Sequence, residues 1–293
     1  MKKQVIGLSI TVFLLWKIIL NLSHFNVRKF EHYSTPADSN INIITYNTQS
    51  LLFRYKNVNL LHTHLKEFDI ILLQECFADI YLTKKTFLKA FDGYNIIAET
   101  SPNLFSKKLL DSGLVILSKF PILDYTFTPF TTGIYVDALA NKGFIHIKIN
   151  IRSEIYHFIN LHIQASYSPD IKDAIDVKLK QLNEIRNYIR KNKLTENIII
   201  GGDFNIDIKG KYSTILQNLF EDYNFIIPEK PTHCVLYKNY TEVDTRCTKD
   251  VEYIPYAFDF FIVNRNKDNT ISKKVHTFDY YSDHCGFSMH FKN

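Results

Sequence analysis

Cysteine is scarce in this chain. Its four cysteines, Cys76, Cys234, Cys247 and Cys285, are scattered and form no CxxC pair, which excludes a disulfide scaffold and a zinc ribbon. Cys234 and Cys247 are near enough in sequence for one loop disulfide in an oxidising compartment, and two reduced thiols fit equally well. Excess charge is scarce too. Lys and Arg number 35 against 30 Asp and Glu, a net charge of +5, milder than a dedicated nucleic-acid binder carries. That balance suits a polyanion or an anionic membrane surface and requires neither. No internal repeat and no long low-complexity segment follows residue 40, which removes repeat arrays. Apolar residues make up 46% and charged residues 22%, the composition of a globular protein rather than a disordered one.

A membrane-length apolar run is missing as well. The longest, Val5–Trp16, spans about 12 residues before Lys17 interrupts it, against the roughly 20 of a spanning helix. Preceded by Lys2 and Lys3, it matches a secretory signal, although Asn21-Leu22-Ser23-His24 is a poor cleavage site. The rival is an uncleaved signal-anchor that reaches spanning length through Ile18-Ile19-Leu20 with Lys17 at the interface. Residues 1–25 are therefore expected to be a signal or signal-anchor segment, and the protein to be membrane-anchored or secreted. Asn21 and Asn239 begin glycosylation sequons that such a route would expose. Residues 26–39 are polar, contain Pro36 and read as a linker. Residues 40–293 read as one folded domain, with a monomer expected.

Within that domain, strands and helices alternate loosely. Ile41–Tyr46 and Asp69–Leu73 read as buried strands, and Val58, Leu61, Leu65 and Phe68 fall at helical spacing. Gly143–Ile151 and Glu154–Asn160 alternate and are joined by Arg152-Ser153, a tight hairpin. Ile175, Leu179, Leu182, Ile185 and Ile189 mark an amphipathic helix with Lys and Arg on its other face. A strand at Ile198-Ile199-Ile200 runs into Gly201-Gly202, where the backbone is expected to turn sharply, and then into Asp203-Phe204-Asn205. A short helix from Thr214 to Phe220, a long loop from Pro228 to about Ile254, and strands at Phe258–Val263 and Phe287–Phe291 complete the chain. Hairpins mixed with helix-linked strands predict two packed sheets with helices outside, an α/β sandwich.

Several of the apolar strands end in, or directly follow, a polar group. These are Asn47, Glu75, His162, Asp203 with Asn205, and Asp283-His284 before the last strand. Singly, each reads most simply as a cap or a boundary residue. Asp259 is different, because it sits inside the apolar run Ala257–Val263, where an unpaired carboxylate is costly and a histidine is a natural partner. Taken as a set, Glu and Asn oxygens suit Mg²⁺, with Mn²⁺ as the alternative ion. A histidine backed by a carboxylate is a general base, and a second histidine with an amide can stabilise oxyanions. Together these groups describe in-line hydrolysis at phosphorus.

The series Ile43-Ile44-Thr45-Tyr46-Asn47, Gln74-Glu75, Gly113–Ser118 with Lys119-Phe120-Pro121, Leu161-His162, Gly202-Asp203-Phe204-Asn205, Asp259 and Ser282-Asp283-His284 resembles the endonuclease/exonuclease/phosphatase superfamily. The resemblance runs in order over nearly the whole chain after Asn40. It implies a four-layer, deoxyribonuclease I-like α/β sandwich and a Mg²⁺-dependent hydrolase domain over residues 40–293. It also implies Glu75 and Asn47 as metal ligands with Asp283 adding a contact, and His284 as the base that activates water, oriented by Asp259. Asp203 would position the water, and Asn205 and His162 would hold the phosphoryl oxygens. Asp137-Ala138-Leu139-Ala140-Asn141-Lys142-Gly143 and His162-Ile163-Gln164-Ala165, followed by a helix with Gln181-Leu182, are most similar to neutral sphingomyelinases. That likeness implies a sphingomyelin-like membrane lipid as substrate, a membrane surface as partner, and a switching role for Asp137 and Lys142; the plainer reading of that pair is a loop ion pair closing a hairpin. Tyr125, Phe127, Phe130 and Tyr135 would then offer an aromatic surface. The alternative is a deoxyribonuclease I-like or abasic-site-type endonuclease with nucleic acid as partner, which the few arginines disfavour. A binding module without chemistry and an inositol-phosphate phosphatase are weaker readings.

Overall fold

The computed structural model of the protein describes residues 40–50, 58–78, 83–99, 106–166, 172–233, 256–264, 270–278 and 282–292, together with Leu15 and Ile18. Apart from those two positions, the expected signal segment lies outside the described residues. So do the linker, both sequons and the Cys234–Cys247 pair. Among the described residues no helix is long and apolar enough to cross a membrane.

Among the described residues, twelve strands form two six-stranded sheets. In the first, β1 (Asn40–Asn47) lies between β2 (Ile70–Gln74) and β12 (Gly286–Lys292), with β4 (Val115–Ser118) and β3 (Asn95–Ala98) beyond β2 and β11 (Thr270–His276) beyond β12. In the second, β7 (Glu154–His162) and β8 (Ile198–Asp203) are central. β6 (Gly143–Ile151) and β5 (Ile122–Pro129) lie on one side, and β10 (Asp259–Asn264) and β9 (Tyr223–Ile226) on the other. Four α-helices, α1 (Val58–Leu65), α2 (Thr83–Lys89), α3 (Lys172–Lys191) and α4 (Ser213–Leu219), and a short 3₁₀ helix at Tyr135–Leu139 are described.

The apolar runs explain the layering. Ile41 and Ile43 of β1 and Ile70 and Leu72 of β2 face the second sheet, whereas Ile44, Tyr46, Ile71 and Leu73 pack against Leu61, Leu65, Phe87 and Phe91 at the helices outside. Strands covered on both faces need apolar residues at every position, which is why they read as unbroken runs. Leu182, Ile185 and Ile189 of α3 and Leu216 of α4 close the far side of the second sheet, giving four layers. The expected hairpin at Arg152-Ser153 is present, with both residues at positive φ, 50° and 71°, as a primed two-residue turn requires. The aromatic surface expected of four residues is divided. Phe130 is buried and Phe127 packs on the core, while Tyr125 and Tyr135 remain exposed.

One expectation is corrected. Gly201 and Gly202 do not turn the chain, because β8 continues through them, pairing with β7 and β10 as far as Asp203. They are glycines because neighbours come too close for a side chain. A Cβ on Gly202, at φ +149°, would lie 2.1 Å from the Leu161 carbonyl oxygen, and one on Gly201 would meet the Phe261 ring at 2.6 Å. The left-handed residue comes three positions after Gly202, at Asn205, φ 49°.

Topology then decides where the polar strand ends meet. β1 and β2 are parallel, as are β7 and β8, so Asn47 pairs with Gln74 and His162 with Asp203 at one common edge. β12 and β10 run antiparallel to β1 and β8, so they begin where those strands finish. That brings His284 and Asp259 to the same edge. A buried polar bridge ties the sheets beneath it. Gln74 Nε2 donates to Asn160 Oδ1 at 2.7 Å, and Asn160 Nδ2 donates to the carbonyls of Leu73 and Val115, both at 2.9 Å. All the polar partners are thus satisfied within an apolar core, where an unmade bond would cost about 1–3 kcal/mol.

Candidate active site

Glu75 follows β2 and takes a left-handed backbone, φ 51°. This is uncommon for a residue with a side chain. Gly113 makes room, since a Cβ there would sit 2.9 Å from the Glu75 Cα. Burial drives the Glu75 carboxyl up to about 7, against the opposing pull of Lys142 and of the Asn47 hydrogen bond. Its Oε1 accepts from Asn47 Nδ2 at 3.1 Å, and its Oε2 is buried with no hydrogen-bond partner. Asn47, expected as a metal ligand, thus presents its amide nitrogen here; the same Nδ2 reaches Asp203 Oδ2 at 2.9 Å.

Asp203 is the hub. Its Oδ2 lies 3.7 Å from both His162 Nε2 and His284 Nε2, and its Oδ1 accepts from the Asn205 backbone at 2.8 Å. Burial opposes its ionisation, but His284 and His162, together with the hydrogen bonds from Asn47 and the Asn205 backbone, hold it below the usual range. On its other nitrogen His284 meets Asp259, Nδ1 to Oδ2, at 2.8 Å. Burial disfavours the imidazolium, yet Asp259 and Asp203 together lift His284 well above its ordinary value. Thr232 holds the Asp259 segment, its hydroxyl accepting from the backbone of Phe258 at 3.1 Å and of Asp259 at 3.0 Å.

His162 moves the other way. Burial, then the Lys142 ammonium, pushes it down to about 3. Lys142 Nζ lies 3.2 Å from His162 Nε2 and donates to Asp137 Oδ2 at 2.8 Å and to the Ile163 carbonyl at 3.0 Å. The Asp137–Lys142 pair is therefore buried against the site rather than merely closing a hairpin. Gln164 and Gln181 frame that segment, with Ile134 N donating to Gln164 Oε1 at 2.9 Å and Gln181 Nε2 to the Thr132 carbonyl at 2.7 Å. The side chain of Asn205 donates to the Ile163 carbonyl at 3.1 Å. Asp283 faces Gln49 Nε2 at 2.6 Å and His233 Nε2 at 3.8 Å.

Three residues at this edge escape the sequence reading. Lys178 lies on α3 among lysines of the expected solvated face, yet it is buried. It donates to Ser166 Oγ at 2.6 Å and to the Asn205 carbonyl, and burial pulls it down to about 8. His233 and Thr232 fall where only a loop was legible. Their nearest signal is Thr-His beside Pro231, too common to single out.

Oxygen and imidazole ligand atoms of Glu75, His162 and Asp203 lie within 4.8 Å of one another, as do those of Asp203, Asp259 and His284 and those of His233, Asp283 and His284. A divalent cation fits the first group on a specific ground. The Glu75 carboxylate is buried, open on Oε2 and costly to ionise without a positive partner, and oxygen donors suit Mg²⁺ or Mn²⁺.

Two packed six-stranded sheets with acidic and imidazole groups at one shared edge define a deoxyribonuclease I-like protein. The chain belongs to the Endonuclease/Exonuclease/phosphatase family, which matches residues 44–284. It is 31% identical over 141 residues to sphingomyelinase C of Bacillus cereus, covering 46% of this chain and 42% of that one. The chain spans about half the length of the curated relatives it matches. Among solved structures, SmcL superimposes with a TM-score of 0.68 at 21% identity, over 87% of this chain and 99% of that one. Staphylococcus aureus beta toxin with bound magnesium ions gives 0.67 at 17%, over 87% and 100%. At those identities the likeness is one of fold.

Proposed function

We propose that this protein is a divalent-cation-dependent phosphodiesterase of sphingomyelinase type, which hydrolyses a sphingomyelin-like lipid to ceramide and phosphocholine. The observation that carries the chemistry is the Asp259–His284 hydrogen bond aimed at Asp203. Asp259 fixes the ring so that Nε2 faces the cleft and takes a proton from water. Asp203 and Asp259 stabilise the imidazolium that results. Asp203, 3.7 Å from that nitrogen, orients the water. His162 and the Asn205 side chain would hold the phosphoryl oxygens, while the Asn47 amide braces Glu75 and Asp203. Glu75 would hold the cation, which when bound supplies charge stabilisation at phosphorus. The lipid is supported by the sphingomyelinase relatives and by the contact of the Asp137–Lys142 pair with His162. This reading carries with it a membrane surface as partner and residues 1–25 as the segment that brings the enzyme there.

The test offers the full chain, in detergent micelles with Mg²⁺, sphingomyelin in one reaction and plasmid DNA in another. Phosphocholine release is expected, lost with a chelator and restored by Mg²⁺. Nicking of DNA without phosphocholine release would replace this reading with the nuclease.

A further inference from the structure

Beneath Glu75 lies a set of buried charges that the hydrolytic chemistry does not use. Glu99, just after β3, is buried, and so are Lys84 of α2 and Asp111. The backbone that leads into β4 passes directly under the Glu75 main chain. A Cβ on Gly113 would lie 2.9 Å from the Glu75 Cα, and the Gly113 carbonyl accepts from Cys76 N at 2.8 Å. Each residue of that stretch is gripped. Asp111 accepts from Lys84 Nζ at 2.6 Å and from Ala78 N at 3.3 Å, so it holds the segment that follows Glu75. Ser112 N donates to Glu99 Oε2 at 2.6 Å. The other Glu99 oxygen, Oε1, reaches toward the second sheet and accepts from Asn141 Nδ2 at 2.7 Å. Asn141 N donates to the Leu110 carbonyl at 3.1 Å, and the next residue is Lys142, whose ammonium lies 3.2 Å from His162 Nε2.

One carboxylate thus ties the two flanks of the cleft, with one oxygen on each. A charge is a costly way to staple two loops. Burial, then Asp111, raises Glu99 to about 7, against the pull of both hydrogen bonds and of Lys84. Only the ionised carboxyl, however, offers an acceptor at each of its two ends; an amide of the same shape presents one acceptor and one donor. Resting on the reading that Glu75 holds a divalent cation, we propose that Glu99 is a positioning residue for that cation, locking the backbone under Glu75 to the Asn141-Lys142 corner. The separation it fixes has an electrostatic consequence. The Glu75 carboxylate attracts a divalent cation and the Lys142 ammonium repels it, so affinity depends on how far apart the two are kept.

The experiment measures Mg²⁺ binding to the full chain in detergent micelles by calorimetry, with no lipid substrate present and with Glu75→Gln as the protein that lacks the site. Glu99→Gln leaves one of the two N–H groups without an acceptor. It should weaken Mg²⁺ binding roughly tenfold, the lower end of what losing an outer partner costs a metal site. Asn141→Ala cuts one arm without touching the buried acid and should weaken binding in the same direction. Exchanging the pair, Glu99→Gln with Asn141→Asp, restores both hydrogen bonds, because the new amide accepts from Ser112 N and donates to the new carboxylate. Affinity should then return to within about threefold of the wild type. A merely structural staple would lower the thermal midpoint and the folded fraction, and leave the Mg²⁺ affinity of the folded protein unchanged. Unchanged affinity in either single variant, or a loss that the exchange does not recover, overturns the role of Glu99 while the cation site stands. If the wild type binds no more Mg²⁺ than Glu75→Gln, the cation reading falls and the role of Glu99 with it. If it binds Mg²⁺ but releases no phosphocholine from sphingomyelin, only the lipid reading falls, and the binding series still decides the role of Glu99.

Discussion

The second sheet carries two histidine clusters, and their difference shows what turns a buried imidazole into chemistry. On the face under α3, His146 Nε2 meets His157 Nδ1 at 2.9 Å, and His146 Nδ1 meets the Tyr188 hydroxyl at 2.9 Å. No carboxylate hydrogen-bonds either ring among the described contacts. Burial, then His157, pushes His146 down to about 4, and His157 falls too, first through burial and then through Lys148. At the sheet edge, His284 and His162 are at least as buried, yet they part company. Asp259 and Asp203 carry His284 up, whereas burial and Lys142 take His162 down. Desolvation is at least as great at the edge, so the placement of carboxylates and one ammonium makes the difference. A pair pushed apart can divide the roles of proton acceptor and neutral hydrogen-bonding group, and a pair pushed down together can only pack.

The comparison is broken most strongly at His284. His284→Ala should lower kcat by about 10³–10⁴ with sphingomyelin, the upper part of what a general base contributes. The thermal midpoint should fall as well, because Asp259 is left as a buried carboxylate without its partner. His146→Phe should leave kcat/KM within about twofold, since the ring is far from the chemistry; a comparable loss in both variants would sink the distinction. Asp259→Asn comes next. Removing that charge should cost roughly 10²–10³ in kcat, the lower part of a general base's contribution, through the lost orientation of His284. It should also carry the acid limb of the pH–rate profile to lower pH, because the charge that raises the His284 pKa has gone. A limb that stays in place would assign the profile to another group.

The strand-end residues were legible only as a set: each alone has a bland explanation, but Asn47, Glu75, His162 and Asp203 repeat one context at the ends of apolar runs and His284 stands just before another. Parallel and antiparallel pairing then had only to bring the ends to one side. Lys178 was not legible, because a lysine in a basic helix face looks alike whether it points to water or bends under Asn205. The Gly201-Gly202 pair was misread because glycine marks close approach as often as it marks a turn. β5 and β11 were missed for a further reason. β5 is largely exposed, and its alternation Asp124-Tyr125-Thr126-Phe127-Thr128 was read only as part of an aromatic cluster, whereas the sequence of β11, Thr270–His276, is mostly polar and shows neither an apolar run nor a clean alternation.

The smallest effect expected sharpens the other half of the comparison. A histidine that stays neutral in the fold at about 4 but titrates near 6.5 when unfolded makes the unfolded state bind more protons between those values. Its contribution to stability is therefore complete above about pH 6.5 and is lost as the pH falls toward 4. The full cost cannot exceed roughly 3 kcal/mol. His157 and Lys148 hold the ring neutral, while Asp124 works against them. His146→Phe removes this titration and keeps an aromatic ring against Tyr188, at the cost of two hydrogen bonds. The variant should be less stable than the wild type at pH 7.5 and should close or reverse that gap by pH 4.5. His276, which burial also takes down to about 4, keeps its own acid-dependent loss in both proteins and cancels from the difference. Thermal midpoints measured across that range decide the matter, and parallel curves would show that the His146–His157 pair takes up its proton in the folded state and is not the inert counterpart of the pair at the edge.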